Sequence, residues 1–141
     1  MRTAAAFAAL TACILLAAPL VVAAHTIPAE KVDRQKIYWG DTSNFEKPGE
    51  VDYVDVIKAT PEYEELRKKR IESGTARYYY LMTQASERAV RVIVEVGQES
   101  EYDLVAAKGY LSALEQPIEA PDLTEVVLAR LRGGGVSSQS Q

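Results

Sequence analysis

Gly74-Thr75-Ala76-Arg77-Tyr78-Tyr79-Tyr80-Leu81-Met82-Thr83-Gln84-Ala85-Ser86-Glu87-Arg88-Ala89-Val90-Arg91-Val92-Ile93-Val94-Glu95-Val96-Gly97 is the stretch on which the fold turns. Tyr78, Met82, Ala85, Ala89, Val92 and Val96 recur at alternating spacings of four and three, the signature of an apolar seam on a helix. Glu87, Arg88, Arg91 and Glu95 are left for solvent. At the usual rise per residue such a helix is roughly 30 Å long.

Upstream, Thr60-Pro61-Glu62 reads as a helix start. Threonine can cap the first amides, proline is tolerated at the first helical position, and glutamate suits the positive end of the helix. A shorter helix should follow to about Ser73, with Glu64 and Lys68 spaced to pair. Ser73-Gly74-Thr75 then permits reversal into an antiparallel helical hairpin over about 60–97. The alternative is one continuous helix, since an internal glycine costs only about 1 kcal/mol.

Downstream, Gly97-Gln98 ends the long helix and Tyr102 to Ala107 reads as a buried strand. Lys108-Gly109 would turn it into Tyr110 to Leu114 as a β-hairpin. Asp122 stands three before Glu125, a capping-box-like start for a helix to about Arg132, with Leu123, Val126, Val127 and Leu131 as its buried face. Gly133-Gly134-Gly135 stops it, and 133–141 reads as a disordered tail.

Before the hairpin, Glu50 to Ile57 is rich in β-branched residues and reads as a strand whose second half could be a helical turn. Lys36 to Trp39 could be another short strand, and Thr42 to Gly49 is loop-like, with Pro48-Gly49 as a turn signal. Trp39 and Phe45 should pack this part on the body, while His25 to Lys36 reads as a mobile lead-in. The fold class is therefore α+β: a small β-rich body, a projecting antiparallel helical hairpin and a short C-terminal helix.

Residues 1–24 carry a short positive start, an unbroken apolar run from Ala4 to Ala24, and small residues at Val22-Ala23-Ala24. This is the pattern of a secretory signal peptide cleaved before His25. An uncleaved anchor is the alternative, since the run is long enough to span. Leu10-Thr11-Ala12-Cys13 has lipobox character, but Cys13 sits early in the run. Cleavage after Ala24 would remove that one cysteine, leaving no disulfide and no thiolate, and export without disulfides fits a bacterial periplasm. Loss of Arg2 leaves fifteen basic against twenty acidic side chains, an acidic balance that argues against nucleic acid as a partner.

The order of parts resembles the Skp/OmpH family of periplasmic chaperones. Val51-Asp52, then Thr60-Pro61-Glu62-Tyr63 opening a helix, is similar to the entry into that family's arm. Glu101-Tyr102-Asp103-Leu104-Val105, then Pro121-Asp122-Leu123-Thr124-Glu125-Val126-Val127-Leu128, resembles its final strands and C-terminal helix. The resemblance covers most of Val51 to Leu131 and divides the chain into a signal peptide at 1–24, an extension at 25–49, a Skp/OmpH-like domain at 50–132 and a tail. It implies a homotrimer whose helical arms hold unfolded outer-membrane or other envelope polypeptides without ATP. The hairpin here is far shorter than the family's arms, the net charge is negative, and the extension has no place in the family pattern.

Catalytic readings fail on inventory: with one histidine and one early cysteine, His-based triads and thiol chemistry lack partners. His25 as a mature N-terminus offers copper an amine and an imidazole, but no second histidine exists. No cofactor is expected. The concentrated basic patch is Arg67, Lys68, Lys69, Arg70 and, across the turn, Arg77, with Tyr79 and Tyr80 beside it. Such a patch is a solvated helix end or a device for capturing acidic polypeptide or anionic membrane surface. Exposed tyrosines add sequence-tolerant contact. The expected role is an exported holdase, and the alternative is a trimeric adaptor module of the envelope.

Overall fold

The computed structural model describes residues 23–134. The expected signal peptide, except Ala23 and Ala24, and all of the expected tail beyond Gly134 lie outside them. The described residues form a mixed α+β domain with three strands, β1 (Ile37–Gly40), β2 (Pro48–Val51) and β3 (Leu104–Ala107). Its helices are α1 (Tyr53–Lys58), α2 (Pro61–Lys68), α3 (Ala76–Glu99) and α4 (Thr124–Gly134). Among the described residues no helix is long and apolar enough to cross a membrane.

The sheet order is β1-β3-β2, with β3 antiparallel to β1 and parallel to β2. Parallel neighbours cannot be joined by a tight turn, so the chain needs a long crossover between them. The three helices α1 to α3 are that crossover. β3 is buried on both faces, as a central strand should be. Val105 faces a core made with Val51, Val56, Ala89, Ile93, Val96, Leu123 and Val127. Leu104 and Ala106 face a second core with Ile27, Phe45, Leu111 and Ile118.

That second core explains why His25 to Lys36 is not a free lead-in. His25 and Phe45 exchange backbone hydrogen bonds of 2.6 and 3.0 Å, Ile27 N–H donates to Thr42 O, and Ile27 is 3% exposed. Two 3-10 turns, Ala29–Lys31 and Arg34–Lys36, carry the chain on to β1. Phe45 is buried and the Trp39 ring lies on Gly97, so both aromatics tie this segment to the body.

Local chemistry moves three other boundaries. Pro48-Gly49 belongs to β2 and is no turn. Proline opens the strand, and Gly49 leaves room for Leu123, whose Cδ1 would lie 2.3 Å from a Cβ placed there. Past Val51 the β-branched run becomes α1, because the Asp52 carboxylate accepts from Val54 N and Asp55 N as an N-cap. Tyr110 to Leu114 forms no hairpin strand. Gly109 takes a φ of 81°, and Leu111–Ala113 is a 3-10 turn whose approach is pinned by the buried Glu50 carboxylate, 3.0 Å from Gly109 N and 2.9 Å from Leu111 N.

α3 buries Leu81, Ala85, Ala89, Val92, Ile93, Val96 and Gly97. The expected seam is kept from Ala85 onward, but at its start Leu81 is buried while Tyr78 and Met82 are only half-covered. Leu123, just before α4, and Val127 and Leu128 on it face the core; Val126, expected on that face, is 54% exposed. The Asp122 carboxylate accepts from Thr124 N and Thr124 Oγ1 at the start of this helix and pairs with Lys108. Lys108, with the Thr124 contacts, holds the Asp122 carboxyl down to about 2.

Gly97 supplies the sharpest test of this packing. A Cβ there would stand 2.4 Å from Trp39 Cδ1 and 3.0 Å from Trp39 Cβ, so the indole would have to leave its place on the helix. Gly97→Ala should destabilise the protein by about 1–3 kcal/mol despite alanine's higher helix propensity. Gly133→Ala, with nothing within 4 Å, should be neutral or stabilising. Urea midpoints of the two variants check this.

Candidate functional site

The basic residues singled out from sequence converge on the turn between α2 and α3, and the physics of that turn begins with how α2 ends. Ile71 N–H donates to Leu66 O at 3.1 Å and Arg70 N–H to Arg67 O at 3.3 Å. This pair of bonds is a Schellman motif, which needs a left-handed residue at its turning point. Arg70 fills that position with a φ of 48°, where glycine is the usual occupant. Gly74, with a φ of 91°, completes the reversal, and Thr75 accepts from Tyr78 N to start α3.

α2 buries Leu66 and half-buries Tyr63, and its N-cap Thr60 is buried. Burial of one leucine contributes about 1.5–3 kcal/mol, so the helix depends also on its polar contacts. Arg88 clamps Glu62 through Nε at 2.9 and 3.0 Å and Nη2 at 2.6 Å. Glu65 accepts from Arg77 at 2.6 Å and from Lys69 at 3.0 Å. Because Glu65 meets Arg77 and the earlier Glu62 meets the later Arg88, the two helices run in opposite directions.

These pairs change the reading of the basic patch. Lys69 and Arg77 share the Glu65 carboxylate, and Lys68 pairs with Glu64 at 3.1 Å, as the spacing expects. Arg67 and Arg70 form no ion pair among the described residues. Both are exposed, and so are Tyr79 and Tyr80, at 62% and 64%. Tyr78 stands edge-on to Tyr79, ring centroids 5.9 Å apart, and turns inward. The site therefore consists of two free guanidinium groups, three cations tethered by glutamates, and two open phenol rings. Such a surface can hold carboxylates weakly and stack on apolar or aromatic side chains.

Sequence reasoning missed the Glu62–Arg88 clamp, because the partners are 26 residues apart and no spacing rule links them. Of the other residues weighed, His25 stacks at a tilt on Phe45 with centroids 5.6 Å apart. Among the described residues there is no group of three or more histidine, cysteine, aspartate or glutamate side chains placed to hold a metal. Comparison of the chain with protein-family models, with curated proteins and with solved structures finds no match.

Two measurements follow from this geometry. Arg70→Gly relieves the left-handed strain and should stabilise the domain by about 1 kcal/mol, seen as a raised melting temperature. Acid should loosen α2. Burial of Glu62 opposes its ionisation, but the Arg88 donors outweigh it and hold the carboxyl below its ordinary 4.5. A depressed folded value contributes stability above pH 4.5 that is lost as pH falls through that lower value. Protection factors of the α2 amides should therefore fall ahead of those of α3 as pH drops through the lowered Glu62 value, and Glu62→Gln should lower them already at neutral pH.

Proposed function

We propose that this chain is an exported, non-enzymatic holdase that keeps unfolded envelope polypeptides from aggregating, working without ATP as a homotrimer of the Skp/OmpH kind. In this reading the α2–α3 pair is a short projecting arm and its turn is the contact surface. The observation that carries the reading is the open turn itself: Arg67 and Arg70 without ion pairs, beside Tyr79 and Tyr80 with most of their surface in solvent. Lys68, Lys69 and Arg77 lie around them and can exchange a glutamate for a client carboxylate. Exposed ion pairs of this type are worth at most about 1 kcal/mol each, so exchange is easy.

Weak contacts become useful when several are linked, since effective concentration multiplies them. A trimer would bring three such turns to one client. Export is supported by the signal-peptide pattern of residues 1–24. Among the described residues Ala23 and Ala24 are exposed, so a cleavage point before His25 is accessible. The anionic membrane surface is a second target with the same charge preference.

One observation favours the adaptor reading instead. From Leu81 to Val96 the apolar seam of α3 is covered by its own chain, so the helix offers little open apolar length to a client. An adaptor would keep the trimeric body and make no use of the turn.

The distinguishing experiment is suppression of aggregation of a urea-unfolded outer-membrane protein diluted into buffer. The unaltered protein should suppress light scattering, and Arg67→Glu with Arg70→Glu should abolish most of the effect while leaving the melting temperature nearly unchanged. Suppression should weaken with salt, because the Debye length falls from about 10 Å at 0.1 M to about 3 Å at 1 M. Native mass spectrometry should give a trimer. No suppression by the unaltered protein would leave the adaptor as the better reading, and full suppression by the charge-reversed protein would remove the turn from client contact.

A further inference from the structure

At the opposite side of β3 from α3, the N-terminal segment and the loop after the 3-10 turn face each other across a cleft of about 530 Å3. Residues 24–28 and Lys31 form one wall, and residues 114–118 the other. The volume is in the range of small-ligand sites. Ile27 and Ile118, 3% and 8% exposed, belong both to this lining and to the second core, so the floor is fixed, and Pro28, Leu114 and Pro117 supply its open apolar surface.

The walls are preformed. Pro28 and Pro117 stiffen them, the His25–Phe45 and Ile27–Thr42 backbone bonds hold one, and Ile118 N–H to Leu111 O at 3.1 Å holds the other. His25 and Ile27 direct their backbone groups toward Phe45 and Thr42. In an extended segment the residue between them turns its N–H and C=O to the other side. That residue is Thr26, which lines the cleft and whose backbone groups make no hydrogen bond among the described residues. Across the mouth, Lys31 pairs with Glu115, joining the two walls through side chains that are 40% and 79% exposed.

We propose that this cleft binds a short extended peptide segment. Its backbone pairs with Thr26, its apolar side chains rest on Pro28, Leu114 and Pro117 above the buried Ile27 and Ile118, and its charged ends take the places of the Lys31–Glu115 pair. The carboxylate goes to Lys31 and the ammonium to Glu115. A free backbone donor and acceptor, an apolar floor and two opposite charges on facing walls are satisfied together by a peptide. A simple anion uses only the lysine, and an apolar tail only the floor. The exposed ion pair across the mouth is easily opened. This site is independent of the α2–α3 turn and does not rest on the holdase reading.

The test is an amide NMR titration of the full chain with the tripeptide Val-Ile-Val and with its N-acetylated, C-amidated and doubly capped forms. Saturable shifts should appear at Thr26, Glu115 and Gln116 and be absent at the α2–α3 turn. Each cap should weaken binding by about fivefold, the ratio expected when one exposed charge contact is lost. Lys31→Gln should remove the penalty for amidation alone, and Glu115→Gln the penalty for acetylation alone. No saturable shift, or equal binding of all four peptides to the unaltered protein, overturns the proposal. Tighter binding of glycerophosphocholine than of Val-Ile-Val would also overturn it, making the cleft a lipid-headgroup site. Shifts confined to the α2–α3 turn overturn it as well, while leaving the holdase reading intact.

Discussion

Glu50 is the residue through which the two halves of the domain are joined. Its backbone stands in β2, paired with Ala106 of β3 on one side. On the other side its N–H donates to Pro121 O at 2.9 Å and its carbonyl accepts from Leu123 N at 2.7 Å. Its side chain, buried with the residue at 9% exposure, accepts from Gly109 N and Leu111 N. A buried carboxylate is costly unless its oxygens are satisfied, and two backbone donors at ordinary distances meet that condition. The sheet edge, the turn after β3 and the start of α4 are thus closed by one residue.

Everything on the far side of β3 depends on that closure. The 3-10 turn places Leu111 in the second core, and the loop that returns from it places Ile118 beside Ile27. The helices on the near side depend on a different economy of atoms: Gly49 against Leu123, Gly97 against Trp39, and alanines at 85 and 89, each buried completely. Small residues bring the backbone elements close, and the larger β-branched side chains fill what remains.

The elements with strong periodicity or a capping residue were legible in the sequence. α3, α4 and the start of α2 are written in seams, in Thr60-Pro61 and in Asp122, all of which act over a few residues. What could not be read depends on partners far along the chain. Pro48-Gly49 looks like a turn until Leu123 is known to lie on it, and Tyr110 to Leu114 looks like a strand until the Glu50 carboxylate is known to hold the turn before it. The basic turn was legible as a cluster, but its division into free Arg67 and Arg70 and tethered Lys69 and Arg77 needed Glu65 in three dimensions. The cleft was not legible at all, because its walls come from segments some ninety residues apart in a chain whose local signals there are weak.

The contact between Trp39 and Gly97 has a practical side. Trp39 is the chain's single tryptophan, set where the N-terminal strand meets the end of the long helix. Its indole emission is a built-in gauge of whether those two parts are touching, with no label added. Any event that pulls the strand from the helix should change the colour of the light it emits, while events confined to the α2–α3 turn should leave that colour alone. The molecule carries its own indicator at the joint between its first strand and its longest helix.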